Sequence, residues 1–212
     1  MTCGLRALIV VLLVSVPAAL HAQGISSVIV TAPKLILVSG EQMQLAAIAR
    51  DTAGNPRNND RFNFGTLASA IIGVDASGIV TARNPGIASV TATVQGTTAV
   101  SPAVLLQVIP SRIDVGGGGS DMKVGESRQF TAVAFDINSQ PIPGVTFRWQ
   151  VTGANGFNTR AAFIDNTGFM TTNGVGMMTI RAQIVYSGQS TAHIPMFEGL
   201  AVITIAAGNE FK

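Results

Sequence analysis

Val38-Ser-Gly-Glu-Gln42, Leu45-Ala-Ala-Ile-Ala-Arg-Asp51, Pro56 and Phe62-Asn-Phe64 follow one another in the first half of the chain. About 85 residues later the same order returns. It reads Val124-Gly-Glu-Ser-Arg128, Phe130-Thr-Ala-Val-Ala-Phe-Asp136, Pro141 and Phe147-Arg-Trp149. One structural unit has been duplicated. The runs within it alternate apolar and polar residues, as in Met43 to Arg50, Ala88 to Val94 and Arg128 to Phe135. Side chains of a strand point to opposite faces in turn, so each run places one face on a core and the other in water.

Gly, Asn, Asp, Ser and Pro punctuate these runs at intervals of about 8–12 residues, the spacing of a sandwich of short antiparallel strands. No convincing helix lies outside the first 22 residues. The expected fold is therefore all-β: two tandem sandwiches, the first over 26–110, the second over 111–207, with a tail over 208–212. Matching glycines anchor the two copies: Gly40 with Gly125, Gly78 with Gly168, Gly86 with Gly176. Each is expected to mark a backbone position that a side chain would crowd. The alignment slips after Trp149, which predicts a longer loop around Thr152 to Arg160 in the second copy.

Gly116 to Ser120 has the composition of a flexible linker, yet the repeat sets Gly118 on Pro33, inside the first strand region of copy one. The register favours a kinked or switched edge strand there over a free hinge. The boundary between the units then falls near Pro110-Ser111.

Residues 1–22 combine Arg6, an apolar run from Ala7 to Val16, Pro17 and the small-residue stretch Ala18-Ala-Leu-His-Ala22. This is the pattern of a secretory signal cleaved near Ala22-Gln23. The alternative, an uncleaved anchor, would need a longer apolar run, since a spanning helix takes about 20 residues. Cleavage would remove Cys3, the chain's only cysteine, so the cores are expected to hold without disulfides. Of 13 Lys/Arg only Arg6 would leave, and 12 against 11 Asp/Glu is a net +1. Scattered charges of that balance point away from a nucleic-acid partner.

Gly-Glu before an alternating strand, Val74-Asp-Ala-Ser-Gly78-Ile-Val-Thr-Ala82, and Pro85-Gly-Ile-Ala-Ser-Val-Thr-Ala-Thr93 together resemble the bacterial immunoglobulin-like domain of group 2. Ile164-Asp-Asn-Thr-Gly168-Phe-Met-Thr171 with Gly174-Val-Gly-Met-Met-Thr-Ile180 is a second instance, and Asp, a turn, Pro and an aromatic strand are similar to invasin and intimin repeats. The resemblance covers almost the whole chain after residue 22. It implies an extracellular or periplasmic module of adhesins and surface proteins, or a spacer in secreted enzymes, with no fixed ligand. It also implies a core aromatic at Trp149, with Phe64 in its place in copy one.

No residue set points to catalysis. After signal removal His193 would be the only histidine, without a cysteine, so neither a nucleophile–base pair nor a closed zinc site is suggested. No cofactor is expected. Asp51, Asp60, Asp136 and Asp165, with Asn55, Asn58 and Asn59, are candidate calcium ligands, but no calcium-loop pattern is present, and Asp capping its own turn is the preferred reading. Phe62, Phe64, Phe147 and Trp149 alternate within strands and read as core; Phe157, Phe163 and Phe197 are left as loop candidates. Of Met177 and Met178 only one can face inward. The loops that differ between copies carry the candidate contact residues Asn155, Phe157 and Asn158, together with His193, Met196 and Phe197. The function expected is a secreted, non-enzymatic surface or adhesion module contacting a protein or glycan, with a spacer or accessory subunit of a secreted enzyme or surface assembly as the alternative.

Overall fold

The computed structural model describes residues 24–186 and 197–208. The signal-like segment 1–22, His193 and Met196 lie outside the described residues. The first ten strands are β1 (Ile25–Thr31), β2 (Ile36–Val38), β3 (Gln42–Gln44), β4 (Ala46–Asp51), β5 (Pro56–Arg57), β6 (Phe62–Thr66), β7 (Ile72–Val74), β8 (Ile79–Ala82), β9 (Gly86–Val94) and β10 (Val104–Ile109). After Pro110-Ser111 come β11 (Arg112–Gly116), β12 (Asp121–Lys123), β13 (Ser127–Gln129), β14 (Thr131–Phe135), β15 (Phe147–Gly153), β16 (Ala162–Ile164), β17 (Phe169–Thr172), β18 (Gly176–Ile184) and β19 (Glu198–Ala206). There is no helix among the described residues.

In the first unit one layer is β2-β10-β9-β6, and the other joins β1-β4-β5 to β3-β8-β7, because β3 and β4 are one run interrupted only at Leu45. The second unit repeats this as β12-β19-β18-β15 against β11-β14 and β13-β17-β16. Two layers, antiparallel except for the β2–β10 and β12–β19 pairs, with this strand allocation form the immunoglobulin-like sandwich. The alternation read from sequence is what fills it. Strand β9 is buried at every second residue, Gly86, Ala88, Val90, Ala92 and Val94. One core gathers Leu37, Leu45, Ile72, Val80, Val90, Leu106 and Val108; the other gathers Met122, Phe130, Met170, Met178, Ile180, Ile203 and Ile205. Met178 faces inward and Met177 outward.

The glycine run is a switch within the first strand of the second sandwich. Strand β11 pairs antiparallel with β14, the chain crosses over Gly117–Ser120, and β12 then pairs in parallel with β19 on the opposite layer. Ala32 to Leu35 make the same crossing between β1 and β2 in copy one, around Pro33. A side chain at 117 is impossible without movement, since its Cβ would lie 2.3 Å from the Phe130 ring. The guanidinium of Arg128 donates to the carbonyls of Gly118, Gly119 and Asp121 and holds the crossing in place.

The slip after Trp149 is also located. Strand β15 has 7 residues against 5 in β6, and the following connection has 8 (154–161) against 5 (67–71), which together account for the slip.

Candidate functional site

The repeated motifs resolve into turn chemistry. Glu41 accepts the Val38 amide at 3.0 Å and pairs with Lys34, while Glu126 accepts the Lys123 amide at 2.9 Å. In both copies the Gly-Glu pair thus closes the turn between the crossing strand and its successor, with the glycine at φ +86° or +88°. Asp75 accepts the amides of Ser77 and Ile79 and the Ser77 hydroxyl; Asp165 does the same with Thr167 and Phe169. Asp51 takes the amides of Ala53 and Asn55, and Asp136 those of Asn138 and Gln140. Asp60 pairs with Arg57 at 2.7 Å. The four candidate aspartates are engaged in their own turns, and among the described residues no three His, Cys, Asp or Glu side chains converge.

These bonds favour the ionised carboxylates. The Ser77 hydroxyl, then the Ile79 amide, hold Asp75 below the ordinary carboxylate range; the Thr167 hydroxyl and Phe169 amide do so for Asp165. For Asp51, burial opposes ionisation, but the Asn55 and Ala53 amides together prevail. Lys34, then the Val38 amide, lower Glu41. A depressed folded-state value means that the carboxylate stabilises the fold above its unfolded value, near pH 4, and ceases to as pH falls through the folded value. The expected result is a urea midpoint flat from pH 8 to about 5 that drops below about pH 4, where unpaired carboxylates begin to protonate. In Asp75→Asn/Asp165→Asn the midpoint is lower at neutral pH and its acid loss shallower; an unchanged acid loss would remove these turns as the cause.

A residue pair that the sequence reading passed over completes the frame. At the break between β3 and β4, Gln44 Nε2 donates to the carbonyls of Leu45 and Ser77, both at 2.8 Å. Gln129 donates in the same way to Phe130 and Thr167, at 2.8 and 2.7 Å. The signal was available, because the two glutamines sit at the repeat offset.

Asn155, Phe157 and Asn158 lie together and exposed on the connection after β15. Asn155 Oδ1 accepts the Phe157 amide, and Asn158 Oδ1 accepts from Gln150 Nε2 on β15. Phe197 is elsewhere. Its carbonyl accepts the Ile184 amide, and its half-buried side chain packs on the cluster of Ile113, Ala134 and Ile142. Ile184 pairs with Phe147 at one end of β15, and Met178 with Gly153 at the other. At about 3.3 Å per residue, those ends are roughly 20 Å apart. The structure therefore does not bring Phe197 to the Asn155–Asn158 loop.

The loop and the two strands that follow it carry exposed aromatics. Phe157 is 73% exposed, Phe163 on β16 61% and Phe169 on β17 43%. Phe163, left as a loop candidate by sequence, is a strand residue facing out. Their equivalents in the first sandwich are not aromatic: Phe163 aligns with Gly73, whose face the Arg83 guanidinium covers, and Phe169 with Ile79. A cleft of about 240 Å3 opens beside Phe163, between β15 and β16, lined by Trp149, Gln150, Asn158 and Thr159. Trp149 is half-buried, its ring against Gly168 as Phe64 lies against Gly78. The indole thus belongs to the core and also forms one wall of an open groove.

The joint between the sandwiches is made by turns. Ile137 of the β14 turn donates its amide to the Ser39 carbonyl at 2.9 Å, and the space above Gly40 is filled by Asp136, Ile137 and Asn138. A cleft of about 330 Å3 runs beside it, between Ile71, Asn84 and Pro85 on one side and Pro143, Val145 and Ile184 on the other. The Tyr186 hydroxyl faces the Gln107 amide, both buried and without a well-formed hydrogen bond. Burial pushes the Tyr186 phenol up, with Gln107 acting in the opposite direction.

No protein-family model matches the chain, and no curated protein does. Solved structures do. The chain is similar to the Yersinia pseudotuberculosis adhesin InvE at 18% identity and a TM-score of 0.47, over 84% of this chain and 58% of that one. It is similar to the Escherichia coli adhesin FdeC at 17% identity and 0.39, over 86% and 66%. Domains 4 and 5 of the S-layer protein SbsC match at 17% identity and 0.32, over 86% and 99%. The chain thus spans less than two thirds of either adhesin structure, and the likeness is one of fold.

Proposed function

We propose that this chain is a secreted, non-enzymatic binding module that acts at a cell surface by presenting the second sandwich to a protein or glycan partner. The observation that carries the reading is the exposed aromatic set Phe157, Phe163 and Phe169 on that sandwich, with no equivalent on the first. An exposed aromatic beside a groove with amide side chains, here Phe163 with Gln150 and Asn158, combines large apolar area with hydrogen-bonding tips, which is how compact recognition surfaces are made. The same strands and turns that spend their carboxylates on backbone amides hold the set rigidly and offer no acid–base pair. Residues 26–110 and 111–207 are the two units, the first a base and the second the presenting head.

The joint favours a second reading. Only Pro110-Ser111 separate β10 from β11, and the turn-on-turn contact limits swivelling, which suits a spacer or accessory subunit of a surface assembly. Binding of the purified chain to cells and to surface glycans separates the two. Presentation is supported if Phe157→Ala and Phe163→Ala each weaken binding about tenfold or more, as truncation of a central aromatic does, with the fold intact by circular dichroism. Unchanged binding in both variants leaves the spacer reading, and turnover of an ester, peptide or glycoside that vanishes in His193→Ala would overturn the non-enzymatic one.

A further inference from the structure

The end of the first sandwich that meets the second is built from three segments: the Ser39-Gly40 turn, the connection before β7 and the Asn84-Pro85 turn. Gly40 donates to the Ala82 carbonyl, and Arg83 to that of Ile71. The outer end of the second sandwich has the same three segments in the same bonding: Gly125 donates to the Thr172 carbonyl, and Asn173 to that of Ala161. Where Gly40 is packed by Asp136, Ile137 and Asn138, no atom of the described residues lies within 4 Å above Gly125, and Gly208 lies beside the Val124 carbonyl. The matching insert is repeated as well. The Asp51 turn of the first sandwich has the bonding of the Asp136 turn: two amides on the Asp Oδ1, and a positive-φ residue, Gly54 or Ser139, in the fourth position. Ala53 and Gly54 are exposed.

We infer that a second copy of this chain docks head to tail, its Asp51–Asn55 turn entering the open Val124-Gly125 socket, with the Thr52 amide donating to the Val124 carbonyl as Ile137 does to Ser39. Such a contact is heterologous, so it does not close on itself and builds linear arrays. It differs from the internal joint at three residues, with Thr52 for Ile137, Thr204 for Gln107 and Gly96 for Tyr186, and in the connection before β16, which has 8 residues where the one before β7 has 5. It also lacks the tether that raises local concentration. The array is accordingly weak and forms only at high concentration or when copies are confined to a surface. The inference uses the outer end of the same sandwich that the proposed function assigns to a partner, but does not depend on that assignment.

Two substitutions block one half each and leave the fold alone. Gly125→Asn places a side chain in the socket with a residue type that tolerates positive φ. Thr52→Pro removes the donor at a turn position where proline is favoured. Sedimentation velocity of the purified chain from about 10 μM to about 1 mM, the range of weak association, is expected to show progressive growth. Each variant alone stays monomeric, and an equimolar mixture forms dimers and nothing larger, because only one intact socket–insert pair remains. A parent chain that stays monomeric at the highest concentration, growth that survives either substitution, or a mixture that forms no dimer overturns the inference. Cell or glycan binding is measured below the concentrations at which copies associate, so its loss on Phe157→Ala does not bear on these three outcomes.

Discussion

Gly168→Ala lowers the stability of the second sandwich by about 2–5 kcal/mol, the sum of a left-handed backbone penalty and an overpacked contact. Gly168 sits at φ +86°, and its Cβ would lie 2.6 Å from the Phe130 carbonyl oxygen and 2.9 Å from the Trp149 ring. The carbonyl is backbone, and it already accepts from Gln129. Neither it nor the ring can retreat without breaking the junction of β13, β14 and β17. Gly78→Ala, at the same φ, has its three nearest contacts in the Phe64 ring, which can tilt, and costs less. Gly125→Ala meets no atom of the described residues and costs about 1–2 kcal/mol from backbone strain alone. Chemical denaturation of the three variants should rank 168 above 78 above 125, and equal losses would show that φ, rather than the close approach, is what glycine supplies here.

That ranking marks how far the sequence could be read. The repeat exposed all three glycines and assigned them one role, a position that a side chain would crowd. Crowding holds at Gly78 and Gly168, where an aromatic on the facing layer fills the site, and at Gly40, where the neighbouring sandwich does. Gly125 is kept by its φ of +88° only. What differs is the partner, and a single chain's pattern carries no information on which surfaces meet. The same limit separates Phe157 from Phe197. Both stand in loops peculiar to the second copy, but β15 runs between them, and strand direction puts one at each end. By contrast, the glycine run was legible because register is arithmetic. Once Gly118 fell on Pro33, both had to serve the same crossing between layers. Phe163 was ambiguous because β16 is only 3 residues long, too short for alternation to declare a face.

Leu106→Ala should unfold the first sandwich early and leave the second nearly untouched. Leu106 is fully buried on β10, opposite Ala88, in a core that shares no residue with that of the second sandwich. Removing it leaves a cavity and costs about 2–5 kcal/mol, which for a unit of this size corresponds to a melting shift of more than about 10 °C. Differential scanning calorimetry should show one transition moving down by that amount while the other moves far less. The connection between the units argues for this. It consists of turn contacts, the buried Pro110 and the imperfectly bonded Tyr186–Gln107 pair, and no residue belongs to both main cores. Coupling through such a joint is worth less than either core, so the loss of one sandwich should not carry the other with it. If instead both transitions fall together, the joint binds the pair into one cooperative unit, and the rigidity needed to hold the second sandwich away from its support would come from the interface itself.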